Sequence, residues 1–180
     1  MNSNKTFRNW LTLVFVFAGL LQLSAQTIRT ADGNQYPATE NWIFACDQYA
    51  FSGKLEVQIG KTDKGGMLQL AVAVSDPTFF IGDNVYLFLL DGSVITCTDK
   101  GNRATNDKFA IAYYFLTFNE IEILKSNPIV NVRFRIKGNE KTFSSRTGHF
   151  TATNQLRSIN IDNDKKVVFD TPIALTNLFK

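Results

Sequence analysis

Glu120 and Glu122, in "LTFNEIEILKSNPIVNVRF", are the first residues in this chain whose type and closeness suggest acid–base chemistry. On a helix, residues two apart point in different directions, so the two carboxylates cannot share one proton-transfer site. Their neighbours give them another task. Thr117 stands three positions before Glu120, the spacing of a capping box: the hydroxyl accepts from the third helical N–H and the glutamate reaches back to the cap N–H. Leu116 and Ile121 occupy the flanking staple positions, and both acids lie near the positive end of the helix dipole. The spacing predicts a helix from Phe118 to about Ser126, a left-handed exit at Asn127 and a stop at Pro128.

The remaining reactive residues are sparse. His149, in "SSRTGHF", is the only histidine. With Ser144, Ser145 and an aspartate it would complete a hydrolytic triad, yet no G-x-S-x-G elbow is present, and a turn or surface histidine is expected. One histidine and two distant cysteines do not supply a zinc site. "DNDKK" from Asp162 begins like a calcium loop, but Val167 stands at the sixth position, where glycine is needed. Asp99 and Asp107 in "DKGNRATND" read as a solvated turn before they read as a cation site. No P-loop or dinucleotide fingerprint occurs. The expectation is no catalytic residue, no metal and no cofactor.

Binding chemistry has more to work with. Arg133, Arg135 and Lys137 alternate, so they share one face of a strand, where they either grip an anion or pair with acids on a neighbouring strand. Phenylalanine accounts for 16 of the 180 residues. The aromatic-rich stretches "NQYPATENWIFACDQYAF" and "DPTFFIG" put Trp42, Tyr49, Phe79 and Phe80 forward as ring platforms for a sugar or a protein partner, or as ordinary β-core filling. Cys46 and Cys97 each follow the apolar parity of their segments. They form either a disulfide, worth roughly 4 kcal/mol in the chain-entropy model, or two buried thiols.

These residues need a frame and an address. Lys5 and Arg8 precede an apolar run from Trp10 to Leu23, and "LSAQ" offers a small-residue cleavage site after Ala25. Residues 1–25 are expected to be a cleaved secretory signal. The run has 14 residues, short of the roughly 20 that span a bilayer. Gln26, not cysteine, would open the mature chain, so a periplasmic or extracellular protein without a lipid anchor or transmembrane span is expected. The "LSAQ" end is similar to signal ends common in Gram-negative bacteria. Without Lys5 and Arg8, 17 basic residues face 16 acidic ones, a net +1. That balance gives no electrostatic basis for holding nucleic acid.

Residues 26–180 read as one domain in which period two dominates. "KLEVQIGK" and "MLQLAVAVS" flank "TDKGG" as a hairpin, and "VYLFLLDGSVITCT" folds around Asp91-Gly92. "FAIAYYFL" (109–116) and "IVNVRFRIK" (129–137) are further strands. Weaker ones are expected near 141–144, 156–161 and 165–169. "TPIALTNLF" offers a short C-terminal helix with Thr171 as N-cap and Pro172 at its first position. Eight or nine such strands predict an all-β, mostly antiparallel β-sandwich. The alternative is a closed barrel, because 85–90 and 109–116 are apolar on both faces and need cover or a lumen.

In length, strand number and C-terminal helix the chain resembles the lipocalins. That resemblance implies a carrier of an apolar small molecule, although no G-x-W precedes Trp42 and the mid-chain helix interrupts a simple meander. The leading expectation is an exported, non-enzymatic module that binds or assembles with a protein or glycan. A hydrolase using His149 stands third.

Overall fold

The computed structural model describes residues 26–106, 108–138, 145–160 and 163–180. The expected signal segment 1–25 and the expected strand 141–144 lie outside the described residues. The hairpin at the centre forms where alternation demanded it, as β4 (Lys54–Thr62) and β5 (Gly65–Ala73), joined through Asp63 and Lys64. Leu55, Val57, Ile59, Leu68, Leu70 and Val72 are wholly buried on one face. β3 (Trp42–Ala45) pairs with β4, and β9 (Phe109–Leu116) pairs with β5 along its whole length. β8 (Arg103–Thr105) lies on the far side of β9.

The second half contains β6 (Phe80–Leu89), β7 (Val94–Cys97), β10 (Ile129–Lys137) and β11 (Gly148–Thr153). All pairings are antiparallel, in the order β7-β6-β10-β11-β3-β4-β5-β9-β8. The two halves meet in the ladder only at Thr153 and Ala45, and their apolar faces share one core. Phe150 sits in that core 5.0 Å from the Tyr49 ring and 5.9 Å from Phe134. The result is an open β-sandwich. β7 and β8 remain edges, so the closed-barrel alternative is corrected: the strands do not close around the lumen that a lipocalin-like carrier requires.

His149 is a surface histidine, one of the two expected settings, but it stands on strand β11 and not in a turn. Phe150 and Ala152 point inward while His149, Thr151 and Thr153 face out, an alternation whose polar half hid the strand. Two further hairpins stand apart from the main sheet: β1 (Thr27–Arg29) with β2 (Gln35–Pro37), and β12 (Leu156–Asn160) with β13 (Asn163–Val167). β13 occupies most of the segment that resembled a calcium loop.

Helix α1 (Phe118–Ser126) has the capping box its sequence prescribes. Glu120 N–H donates to Thr117 Oγ1 at 3.3 Å, and Thr117 N–H donates to Glu120 Oε2 at 2.7 Å. β9 and β10 are not neighbours, so α1 carries the chain from one half of the sandwich to the other. Ile121 and Leu124 enter the core beside Leu175 of α2 (Thr171–Leu178). Both helix-end expectations need correction. Asn127 is extended (φ −137°), because a residue before proline is driven there; its side chain accepts from Asp91 N–H at 3.3 Å. Asp170, not Thr171, caps α2, accepting from Ile173 N–H at 3.1 Å. Thr171 is buried and accepts from Ile129 N–H at 3.0 Å.

Cys46 and Cys97 are both free and buried in the structure, the arrangement that the two-thiol alternative describes. Burial pushes Cys46 up to about 11 and Cys97 up to about 12. The thiolate is the reactive form, so both should resist Ellman's reagent in the folded protein at pH 8. Two thiols should titrate once the unreduced chain is unfolded, and none appearing then would restore the disulfide.

Candidate functional site

An open sandwich must hold its two edges together without a ladder. Here side chains do it. The loop leaving β7 makes an Asx turn, with Asp99 Oδ1 accepting from Gly101 N–H at 2.8 Å and Gly101 at φ +76°. Asp99 Oδ2 accepts from Asp83 N–H at 2.9 Å and pairs with the Arg103 guanidinium. Arg103 Nε–H donates to Ile81 carbonyl at 2.8 Å, and its guanidinium lies 5.1 Å from the Phe80 ring centre. Tyr114 hydroxyl donates to Asp83 carbonyl at 3.3 Å. The seam between β6 and β8–β9 is therefore stitched by residues of both halves.

Asp83 occupies a bulge, where the β6–β10 register shifts between Arg133 and Arg135, and it adopts φ +62°. A non-glycine residue there marks local strain. Its carboxylate takes Lys137 Nζ at 2.8 Å and Arg135 Nη1 at 2.9 Å. Those partners, Lys137 foremost, hold the Asp83 carboxyl below the usual range. Every charge in the seam has a partner, which describes a latch better than a ligand site.

The latch also positions one wall of a cleft. The β1–β2 hairpin folds over the outer face of β5 and β9, so that Ile28, Met67 and Tyr113 form a second buried cluster with Tyr36, Ala104 and Ile111 packed against it. Tyr113 hydroxyl donates to Arg29 carbonyl at 2.9 Å and ties the hairpin down. The N-terminal segment is thus the cover that the doubly apolar 109–116 strand demanded. Where the hairpin tip stands away from the sheet, a cleft of about 300 Å³ remains. Thr30, Ala31, Asp32 and Tyr36 line one side, Gly101, Asn102 and Arg103 another, and Met67, Tyr113 and Phe115 the floor and rim.

The cleft's polar groups are partly engaged. Asp32 accepts from Thr30 hydroxyl and from Asn34 Nδ2, the latter at 2.7 Å. The Thr30 contact is the main reason its carboxyl lies below the usual range. Arg103 spends Nε and Nη2 on the latch. Among the described residues, no hydrogen bond is made by the Tyr36 hydroxyl, the Asn102 carboxamide or Arg103 Nη1. Phe115 is 53% exposed at the rim.

The binding residues expected from sequence do not gather here. Trp42, Tyr49 and Phe79 are 0, 0 and 3% exposed and fill the core, so their rings are not available as platforms. Phe80 lies under Arg103, and Arg135 is bound to Asp83. Arg133 is exposed, between Tyr86 and Thr151 in register, with no ion pair among the described residues. His149 stands across from Arg135 on the outer face. Among the described residues, no three His, Cys, Asp or Glu side chains converge as a metal site would require, and no helix is long and apolar enough to cross a membrane. Tyr36 belongs to the aromatic-rich stretch "NQYPATENWIFACDQYAF", and Asn102 to the loop "DKGNRATND". Phe115 was hidden among eight apolar strand residues. Compared with protein-family models, curated proteins and solved structures, the chain matches none.

Proposed function

We propose that the chain is an exported binding module, without catalytic chemistry of its own, that holds a protein or glycan ligand in the cleft between the β1–β2 hairpin and β8–β9. The observation that carries this reading is the contrast between two neighbouring sites. In the seam every charged group is partnered; in the cleft a phenol, a carboxamide and a guanidinium N–H stay unengaged beside an exposed aromatic ring. Small-molecule sites join apolar walls to a few placed polar groups, and about 300 Å³ is the lower end of their usual size. The positions of the reactive side chains favour binding over catalysis. Both thiols are buried, and His149 is set against a cation instead of an acid. Export rests on the signal pattern of residues 1–25.

The test is an NMR titration of the secreted chain, recovered with Gln26 as its first residue, against soluble oligosaccharide and peptide mixtures. Amide shifts should concentrate at Tyr36, Asn102 and Phe115. Shifts confined to the outer face around Arg133 and Tyr86, or catalytic turnover of either mixture, would reject the reading.

A further inference from the structure

We infer that the ligand of this cleft is a neutral sugar ring. The inference rests on the binding reading above and deepens it by naming the chemical class. Charge comes first. The cleft presents one carboxylate, Asp32, and one guanidinium, Arg103, so a charge of each sign lines it. An anion would meet Asp32 and a cation would meet Arg103, so neither sign is favoured over a neutral ligand.

The hydrogen-bonding groups narrow the class. The Asn102 carboxamide donates and accepts, the Tyr36 hydroxyl does both, Arg103 Nη1 only donates and ionised Asp32 only accepts. A sugar hydroxyl likewise donates and accepts, so a ring bearing several can satisfy this mixed set at once. A lipid tail would leave the same groups dry, and burying a polar group without a partner is costly. The apolar surfaces fit as well. The exposed Phe115 ring and the half-buried Tyr36 ring offer flat faces to the C–H face of a pyranose, above a floor of Met67 and Tyr113. The cleft's small volume suits a ring better than an extended chain.

Calorimetry or saturation-transfer NMR on the secreted chain would test this with glucose, galactose, mannose, N-acetylglucosamine and their β-linked disaccharides, beside glucuronate and glucosamine. At least one neutral sugar should bind with Kd of about 1 mM or tighter, and its acidic and amino counterparts more weakly. Phe115→Ala and Asn102→Ala should each weaken that binding about tenfold. Both side chains are exposed, so the melting temperature should not move; Tyr36→Phe, which removes only a hydroxyl, is the milder companion. If no neutral sugar bound while a peptide shifted the same cleft amides, the sugar inference would fall and the binding site would stand. Sugar binding indifferent to all three variants would overturn the placement of the site itself.

Discussion

Gly65→Ala is expected to destabilise the protein by roughly 3 kcal/mol or more, the sum of backbone strain and an overpacked contact. Gly65 opens β5 at φ +129°, a conformation that L side chains rarely adopt. A Cβ there would stand 2.2 Å from Leu116 carbonyl oxygen, 3.0 Å from Thr117 C and 3.1 Å from Phe118 N. All three atoms are backbone, and they belong to the junction where β9 becomes the capped first turn of α1. Backbone held by a ladder on one side and a capping box on the other cannot swing aside as a side chain would. The glycine therefore lets the β4–β5 hairpin lie directly under the start of the helix. Gly92→Ala is the internal comparison: Gly92 has φ +87° but nothing within 4 Å, so it should cost only about 1–2 kcal/mol. Urea unfolding of both variants checks the claim, and a Gly65→Ala loss no larger than that of Gly92→Ala would refute it.

Asn154→Leu should be nearly as damaging, at about 3 kcal/mol, for a polar reason. Asn154 is 5% exposed. Its Nδ2 donates to the Ile129 and Phe169 carbonyls, both at 2.9 Å, and its Oδ1 accepts from Phe169 N–H at 3.0 Å. One carboxamide thus satisfies three main-chain groups, at the start of β10 and just before α2. Leucine of similar size would keep the volume but take a partner from all three, leaving the Phe169 carbonyl only the Thr171 N–H at 3.0 Å, and a buried group left without its partner costs more than a hydrogen bond gains. Thr171 accepting from Ile129 N–H reinforces the same join. Hydrogen exchange should therefore quicken first at the Leu175 and Phe179 amides, before the main sheet opens. Unchanged exchange there, with a stability loss below about 1 kcal/mol, would show that Asn154 is not the anchor.

Both residues illustrate where sequence reasoning stops. The Gly65-Gly66 pair announced a turn, yet nothing in "TDKGG" says that a helix fifty residues later will rest on it. Asn154 lies in "TATNQ", a polar stretch, and its burial follows only from the C-terminal segment folding back over the start of β10. The candidate site has the same origin. Tyr36, Asn102 and Phe115 are far apart along the chain, and they meet because the N-terminal hairpin covers the outer face of β9 while the Asp99 latch fixes the loop before β8. Trp42, Tyr49 and Phe79 were the conspicuous rings, but size and apolarity that suit a sugar platform suit a core equally well.

What depends on neighbours within a few residues is legible in the amino-acid order alone. The all-β class, the β4–β5 and β6–β7 hairpins, the capped helix at Phe118 and its stop at Pro128 follow from period two, turn chemistry and capping, which are local forces. Strand order, the open seam with its latch and the composition of the cleft come from contacts between residues far apart along the chain. Alternation tells which face of a strand must leave water. It carries no information about which other strand will meet that face, because hydrophobic burial is non-directional and many partners satisfy it equally.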